Sequence, residues 1–445
     1  MATTFLRRTS GTPTNSKKTT LSFWLKRSGL GTGTFFGGGA DSNNMTFINF
    51  NPNGKIFLQS SVSGSNTLVF ITTQVFKDTS AWYHIVVAID TTQGTASNRV
   101  KLYVNGVQVT AFDTATYPSQ NLDLEWNKSN KTLEIGKYLF QGTYSIYDGL
   151  MSHYNFVDGT AYAPTLFGET DSTTGQWKIK TAPSVTYGNN GFFILKDSNS
   201  VTDQSGKSNN FAVTGGTLTK TEDSPSNNFA TLNPLVQGTS NNARTFANGN
   251  NTITLGRDSA AISSLGVTSG KYYCEIKCVT DAANPVIGIA KEGSPATVNP
   301  WGGSNLVGTN EYGYVSDGKK KGNAGSFTNY GSTWTTGDII SIAYNATIGA
   351  IWFGKNGTWQ NNATDSQIAA GTTTYAAFSS MPTNGEFYGP FIYTDGSTVV
   401  ASNFGNGYFG TTAVSSAGTN ASGNGIFEYN VPAGFTALST KGLNL

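Results

Sequence analysis

Apolar and polar positions alternate with a period of two along much of this chain. The clearest case lies within Gly337 to Gln360, where Ile340, Ile342 and Tyr344 are separated by the small residues Ser341 and Ala343. That is the pattern of a half-buried strand. A turn over Asn345 to Gly349, a β-rich run from Ala350 to Phe353 and an Asn356-Gly357 turn complete a hairpin with a further turn attached. The same reading predicts strands over Thr19–Lys26, Met45–Phe50, Lys55–Gln59, Thr67–Thr72, Thr132–Lys137 and Gly149–Asp158. Phe35–Asp41, FFGGGAD, reads as a Gly-rich turn. Trp82–Asp90, WYHIVVAID, is nearly all apolar and predicts a central strand. Arg99–Thr110 predicts a hairpin closed by an Asn-Gly turn. No segment of the first 160 residues shows a 3.6-residue apolar period.

A second set of strands is expected after residue 250. It covers Thr252–Leu255, Lys271–Val279, Pro285–Ala290, Glu311–Ser316, Asp338–Tyr344, Ala350–Gly354, Thr374–Phe378, Phe387–Tyr393 and Thr398–Phe404. Between the two sets, Ala163 to Pro234 is dominated by turn residues, with apolar patches at Gly191–Leu195 and Phe211–Val213. Its aromatics, Phe167, Trp177, Phe192, Phe193 and Phe229, are too many for a free linker.

Composition narrows the function classes. Of 445 residues only 12% are charged, the formal net charge is +2, and 53 are glycine. No strong basic field is present to replace counterions, so nucleic acid is not expected as a partner. No apolar run has the length of a signal peptide or of the ~20 residues of a spanning helix, so a soluble protein made in the cytoplasm and never inserted in a membrane is expected. In Lys271–Val279, Cys274 and Cys278 share a strand face with Tyr272 and Ile276, and Glu275 and Lys277 take the other. Four strand residues hold the sulfurs ~13 Å apart, so two reduced core thiols are expected rather than a disulfide.

The strand pieces carry resemblances. TTLSFWLKRSG, then WYHIVVAID with KLYVNG, then LEIGK and DGLMSHYNFVDG, resemble a laminin-G-like jelly roll of concanavalin-A type, covering residue 1 to about 164. GKYYCEIK, IGIA, YGYVSDGK, GDIISIAYN with GAIWFGKNG, and NFGNGYF resemble a SPRY domain in the same order. DQSGKSNN at 203–210, SPSNNFATLNP at 224–234 and the tail from Ile426 resemble segments of tailed-bacteriophage virion proteins, especially marine ones.

These resemblances imply an all-β chain of two jelly-roll β-sandwiches. The implied domains are laminin-G-like (1–164), an irregular β-containing connector (165–245), SPRY-like (246–412), and a C-terminal strand with an assembly tail (413–445). The implied function is structural and adhesive: a fibre, receptor-binding or capsid-decoration component of a virion, present as a homo-oligomer or in many copies. Its implied partners are other virion proteins and a host-surface glycan.

Catalysis is the alternative, because concanavalin-like sandwiches include glucanases that use paired carboxylates. The nearest string to their strand motif is Asn121-Leu122-Asp123-Leu124-Glu125, where an amide stands at the nucleophile's place. A polar edge strand without activity is therefore expected. His84 and His153 have no nucleophile pattern beside them and are expected to hydrogen-bond within the sandwich. Gly31, Gly33 and Gly37–Gly39 lack the Lys-Ser/Thr of a phosphate loop. Lys319–Lys321 reads as a solvated turn. No cofactor is expected. Calcium could be held at strand ends by Asp41, Asp90 or Asp158, though no Asp-rich loop is present. For sugar binding, Trp301, Tyr330, Trp334 and Trp359 fall in predicted SPRY loops near Asn299, Asn305, Asn329 and Asp317. Of these, Trp301, Tyr330, Trp334 and Asp317 are the candidate ligand contacts.

Overall fold

The computed structural model describes residues 3–138, 146–197, 200–236, 244–281, 284–293, 310–323 and 325–444. The chain divides into two compact units, Met1–Lys220 and Thr221–Leu445.

The first unit is built on two antiparallel sheets. One runs in the order Phe112–Thr116, Ser65–Val75, Lys55–Val62, Asn44–Phe50, Gly33–Asp41, Thr132–Ile135, Phe5–Thr9, Ala212–Thr214. The other runs Phe192–Ile194, Gly149–Asp158, Lys18–Arg27, Trp82–Asp90, Val100–Val104, Val107–Gln108. Trp82–Asp90 is central, as its unbroken apolar run predicts. Leu21, Phe23 and Leu25 alternate into a core shared with Phe35, Ile48, Ile85, Val87 and Phe156. Gly33–Asp41 is a buried strand rather than the expected turn. Its glycines admit the Leu133 and Tyr138 side chains, which crowd the space a Cβ would take.

Residues from the turn-rich middle of the chain complete this unit. Phe192–Ile194 pairs with Tyr154–Phe156, and Ala212–Thr214 pairs with Phe5–Arg7. The Arg8 guanidinium lies 5.8 Å from both the Phe192 and Phe211 rings and donates to Asn209. Asp203 fastens its loop by accepting from the Phe193, Ser205 and Asn209 amides.

The second unit has the same two-sheet plan. One sheet runs Arg244–Ala247, Thr252–Leu255, Thr398–Asn403, Lys271–Thr280, Ile339–Asn345, Ala350–Lys355, Thr358–Trp359. The other runs Ser259–Ile262, Tyr388–Thr394, Val286–Lys291, Glu311–Val315, Lys319–Gly322, Thr328–Asn329. Cys274 and Cys278 are buried free thiols between the sheets, among Ile276, Ile342 and Ile351. The expected strand at Thr374–Phe378 is instead a 3-10 turn, Thr373–Tyr375, followed by a single bridge from Phe378 to Ile351.

The tail folds back on its own unit. Thr436–Ala437 pairs in parallel with Tyr272–Tyr273, beyond the point where Thr398–Asn403 stops. Phe427, Val431 and Phe435 bury against Tyr273, Trp352 and Ile368 on the outer face of the sheet. Glu275, which alternation places on the polar face, is therefore fully buried. No helix among the described residues is long and apolar enough to cross a membrane.

One device recurs in both units. Asn105-Gly106 and Asn356-Gly357 each close a two-residue hairpin with positive φ at both positions: 49° and 80°, then 48° and 80°. Each Asn bonds twice to the preceding strand. Asn105 Oδ1 accepts from His84 N and Asn105 N donates to His84 O. Asn356 makes the same pair of bonds with Ile339. An aromatic from a later segment then covers each glycine, Trp177 over Gly106 and Tyr429 over Gly357.

Candidate functional site

The Asn356-Gly357 turn brings Thr358–Trp359 back beside Gly354–Lys355. The Trp359 indole thereby lies near the Tyr273 ring, with centroids 6.3 Å apart and planes at 73°. Its Nε1 donates to Asp365 Oδ1 at 2.6 Å. Asp365 opens a short helix, Asp365–Ala369, that starts with a capping box from Thr364 to Gln367.

The facing wall comes from the tail. Gly418 N donates to Phe427 O, Val431 N to Thr419 O, and Thr419 N to Asn430 Oδ1. These bonds hold 415–431 as a folded-back loop. Glu275 anchors it from within: its carboxylate accepts from Glu428 N and Tyr429 N, both at 2.8 Å. The Tyr273 hydroxyl lies 2.9 Å from both Glu275 Oε1 and Ser341 Oγ. Burial outweighs these donors and holds the Glu275 carboxyl up at about 7.

Between the walls is a cleft of about 410 Å³, within the ~300–1,000 Å³ range of small-ligand sites. Trp359, Tyr429, Asp365, Glu428, Asn430 and Ser416 line it, above a floor formed by Tyr273, Ser341 and Gly354. Trp359 and Tyr429 are half-buried, while Asp365 and Asn430 are exposed. Both Glu428 oxygens are engaged by Ser415, through its amide and its hydroxyl. The cleft thus offers two part-exposed rings, two carboxylates and a carboxamide. Among the described residues, no Lys, Arg or His lines it.

Of the residues singled out in the sequence, Trp359 lines this cleft, while Tyr330, Trp334 and Asp317 do not. Trp334 is only 2% exposed and packs with Tyr330 around the Tyr314 ring. Tyr330 is partly buried against the core, and its hydroxyl accepts from Phe353 N. The Trp334 ring is thus closed off from stacking, which corrects its reading as a ligand contact. Tyr330 stays part-exposed, with the Lys320 ammonium 5.5 Å from its ring centroid. Asp317 sits in the turn before Lys319, bonding its amide and, at 2.6 Å, its ammonium. Trp301 lies outside the described residues, as do Asn299 and Asn305. Lys320 and Lys321 are not a solvated turn: they belong to a strand, with their ammonium groups over Phe378 and Phe327.

In the first unit the candidate groups are spent on structure. The string Asn121–Glu125 forms a turn leading into a 3-10 helix, not an edge strand. Glu125 is 1% exposed and paired with Lys128 and Lys131. His84 stacks on Trp24 with centroids 4.7 Å apart, and also on Trp177. Trp177 Nε1 donates to its Nδ1 and Ser22 Oγ lies 2.9 Å from its Nε2. His153 Nδ1 lies 2.7 Å from Ser152 Oγ.

The candidate calcium ligands are held by donors. Asp158 accepts from the Thr14, Asn15 and Asn190 amides and from Asn127 Nδ2. Asp41 accepts from Asn43 N and Asn44 N, and Asp90 from Thr92 and Gln93. A cation at any of them would face N–H groups. Among the described residues no three His, Cys, Asp or Glu cluster as a metal site would require.

Tyr429, Asp365 and Glu428 were missed because period-two reading stops at the sheet. Nothing in GNGIFEYNVPAGF signals that it returns to cover Glu275. The detectable hint was the tail's aromatic content.

Comparison with known proteins accords with the two sandwiches. Residues 6–162 match the family model for the concanavalin A-like lectin/glucanases superfamily, and residues 271–405 match the SPRY domain model. None of the curated proteins matches the chain. Similar solved structures include the SPRY domain of human HERC1, at 20% identity over 38% of this chain and 96% of that one, TM-score 0.29. A SAP-like pentraxin from Limulus polyphemus matches at 19% identity over 36% and 72%, TM-score 0.28. Domain 4 of the arabinanase AbnA from Geobacillus stearothermophilus, solved with arabinotriose, matches at 21% over 36% and 68%, TM-score 0.26. This all-β chain carries a concanavalin A-like, laminin-G-like domain followed by a SPRY domain.

Proposed function

We propose that the protein works by binding and assembly, as a structural and adhesive component of a tailed-phage virion that contacts a host-surface glycan. The observation that carries the binding half is the cleft between Trp359 and Tyr429. Aromatic faces stack on pyranose rings, carboxylates accept from sugar hydroxyls, and carboxamides both accept and donate. The particle half rests on the likeness of 203–210, 224–234 and the tail to phage virion segments. Many copies on a particle would turn weak single contacts into avidity.

A glycan array with the purified protein tests adhesion, and labelling of the protein on intact particles tests its place. Binding to host-surface sugars, with label on the particle, is the expected result.

One observation favours hydrolysis as a second reading: Asp365 and Glu428 line the same cleft. Against it, Glu428 has both oxygens engaged by Ser415, and Asp365 holds the Trp359 indole. Release of reducing ends from a bound glycan would favour the enzyme.

A further inference from the structure

The charge of the cleft narrows its ligand. Resting on the reading of this cleft as a glycan site, we propose that it selects amino sugars, hexopyranoses of the glucosamine type whose free amine is protonated.

Three observations converge. The two walls bring one carboxylate each, Asp365 from the short helix and Glu428 from the tail loop. Among the described residues, no cationic side chain lines the cleft to balance them. An anionic sugar would therefore meet two like charges with no counter-charge. An ammonium would find a direct partner in Asp365 and a second negative charge in Glu428, whose oxygens Ser415 already engages. The rings act in the same direction. Trp359 and Tyr429 both line the cleft, and a cation within about 6 Å of a ring centroid is attracted by its quadrupole. Asp365 suits the role because only Oδ1 is bonded, to the indole N–H, while the residue as a whole is exposed. That bond also fixes the carboxylate beside the ring, so the stacking surface and the charge partner are placed together. A sugar ring with an adjacent ammonium matches this arrangement, since its CH face and its charge lie side by side. A lysine side chain offers the charge but no rigid ring to cover the indole.

The test is calorimetric titration of the full chain with glucosamine oligomers, N-acetylglucosamine oligomers, galacturonate oligomers and a lysine peptide, at low and high salt. Glucosamine oligomers are expected to bind about three- to fivefold more tightly than the N-acetylated ones, equivalent to one part-exposed charge pair. Added salt should narrow that gap. The galacturonate series should bind most weakly. Asp365→Asn and Glu428→Gln, checked for folding by circular dichroism, should each bring the two glucosamine series together. Equal affinity for both series in the wild type, or tighter binding of galacturonate or the lysine peptide, would overturn the amine preference while leaving a sugar site in place. Absence of binding to every sugar would overturn the site itself along with it.

Discussion

Gly357 and Tyr429 touch: a Cβ added at Gly357 would lie 2.7 Å from Tyr429 Cδ1. The turn that closes a SPRY hairpin thus forms the seat on which the tail loop's aromatic rests, although 72 residues separate the two. Gly357→Ala should lose stability on both counts, positive φ and contact, by about 1–3 kcal/mol. Differential scanning calorimetry should show the melting of the second unit move down, and ligand binding at the cleft should weaken.

Glu275 makes the second unit sensitive to pH with a definite sign. Its folded carboxyl sits at about 7 against an ordinary 4.5. The folded state therefore holds a proton that the unfolded state has released between those values. Its contribution to stability is full below about 4.5 and is lost as pH rises through 7, by up to ~3 kcal/mol. Gln cannot titrate, so the stability difference between wild type and Glu275→Gln, measured by denaturant unfolding, should shrink from pH 5 to pH 8. A constant difference would contradict the assignment.

His84 gives the first unit the opposite slope. Burial takes its imidazole down to about 3, so it stays neutral while the unfolded chain protonates near 6.5. Stability contributed by neutral His84 is present above 6.5 and is lost as pH falls toward 3. The indole of Trp177 can only donate, so Nδ1 is the acceptor and the proton sits on Nε2, facing Ser22. Nitrogen-correlated NMR should show that tautomer, without titration, down to about pH 4.

Asp158 locks three segments of the first unit at once, 14–15, Asn127 and Asn190. Asp158→Ala would leave four donors without their acceptor and should cost about 2–4 kcal/mol. Chelator should leave wild-type melting unchanged, because the carboxylate is filled by N–H donors.

The strands were legible in the sequence because their alternation reports burial directly. Leu21, Phe23 and Leu25 point inward as the pattern says, and the Asn105-Gly106 and Asn356-Gly357 turns form where the dipeptides predict. Gly33–Asp41 was not legible, since glycines that admit neighbouring side chains read locally as a turn. The binding surface was less legible still. Tyr330 and Trp334 sit in loop-like sequence, yet their rings close the core around Tyr314. Trp359 lines the cleft opposite a tail loop that returns from distant sequence, a fact of tertiary packing that no local period encodes. The quoted fragments of the SPRY resemblance do meet in space: Asp338 accepts from Asn356 Nδ2 at 2.7 Å and pairs with Lys355 at 3.1 Å.

If Trp359 and Tyr429 hold a sugar between them, titrating a glucosamine oligomer into protein with isotope-labelled tryptophan should report it at the indole itself. A saturable shift of the Trp359 indole signal is expected, with Trp334 unmoved, together with about a tenfold loss of affinity in Trp359→Ala. Saturable binding that leaves the Trp359 signal in place, or that survives Trp359→Ala undiminished, would contradict a sugar held between these two rings.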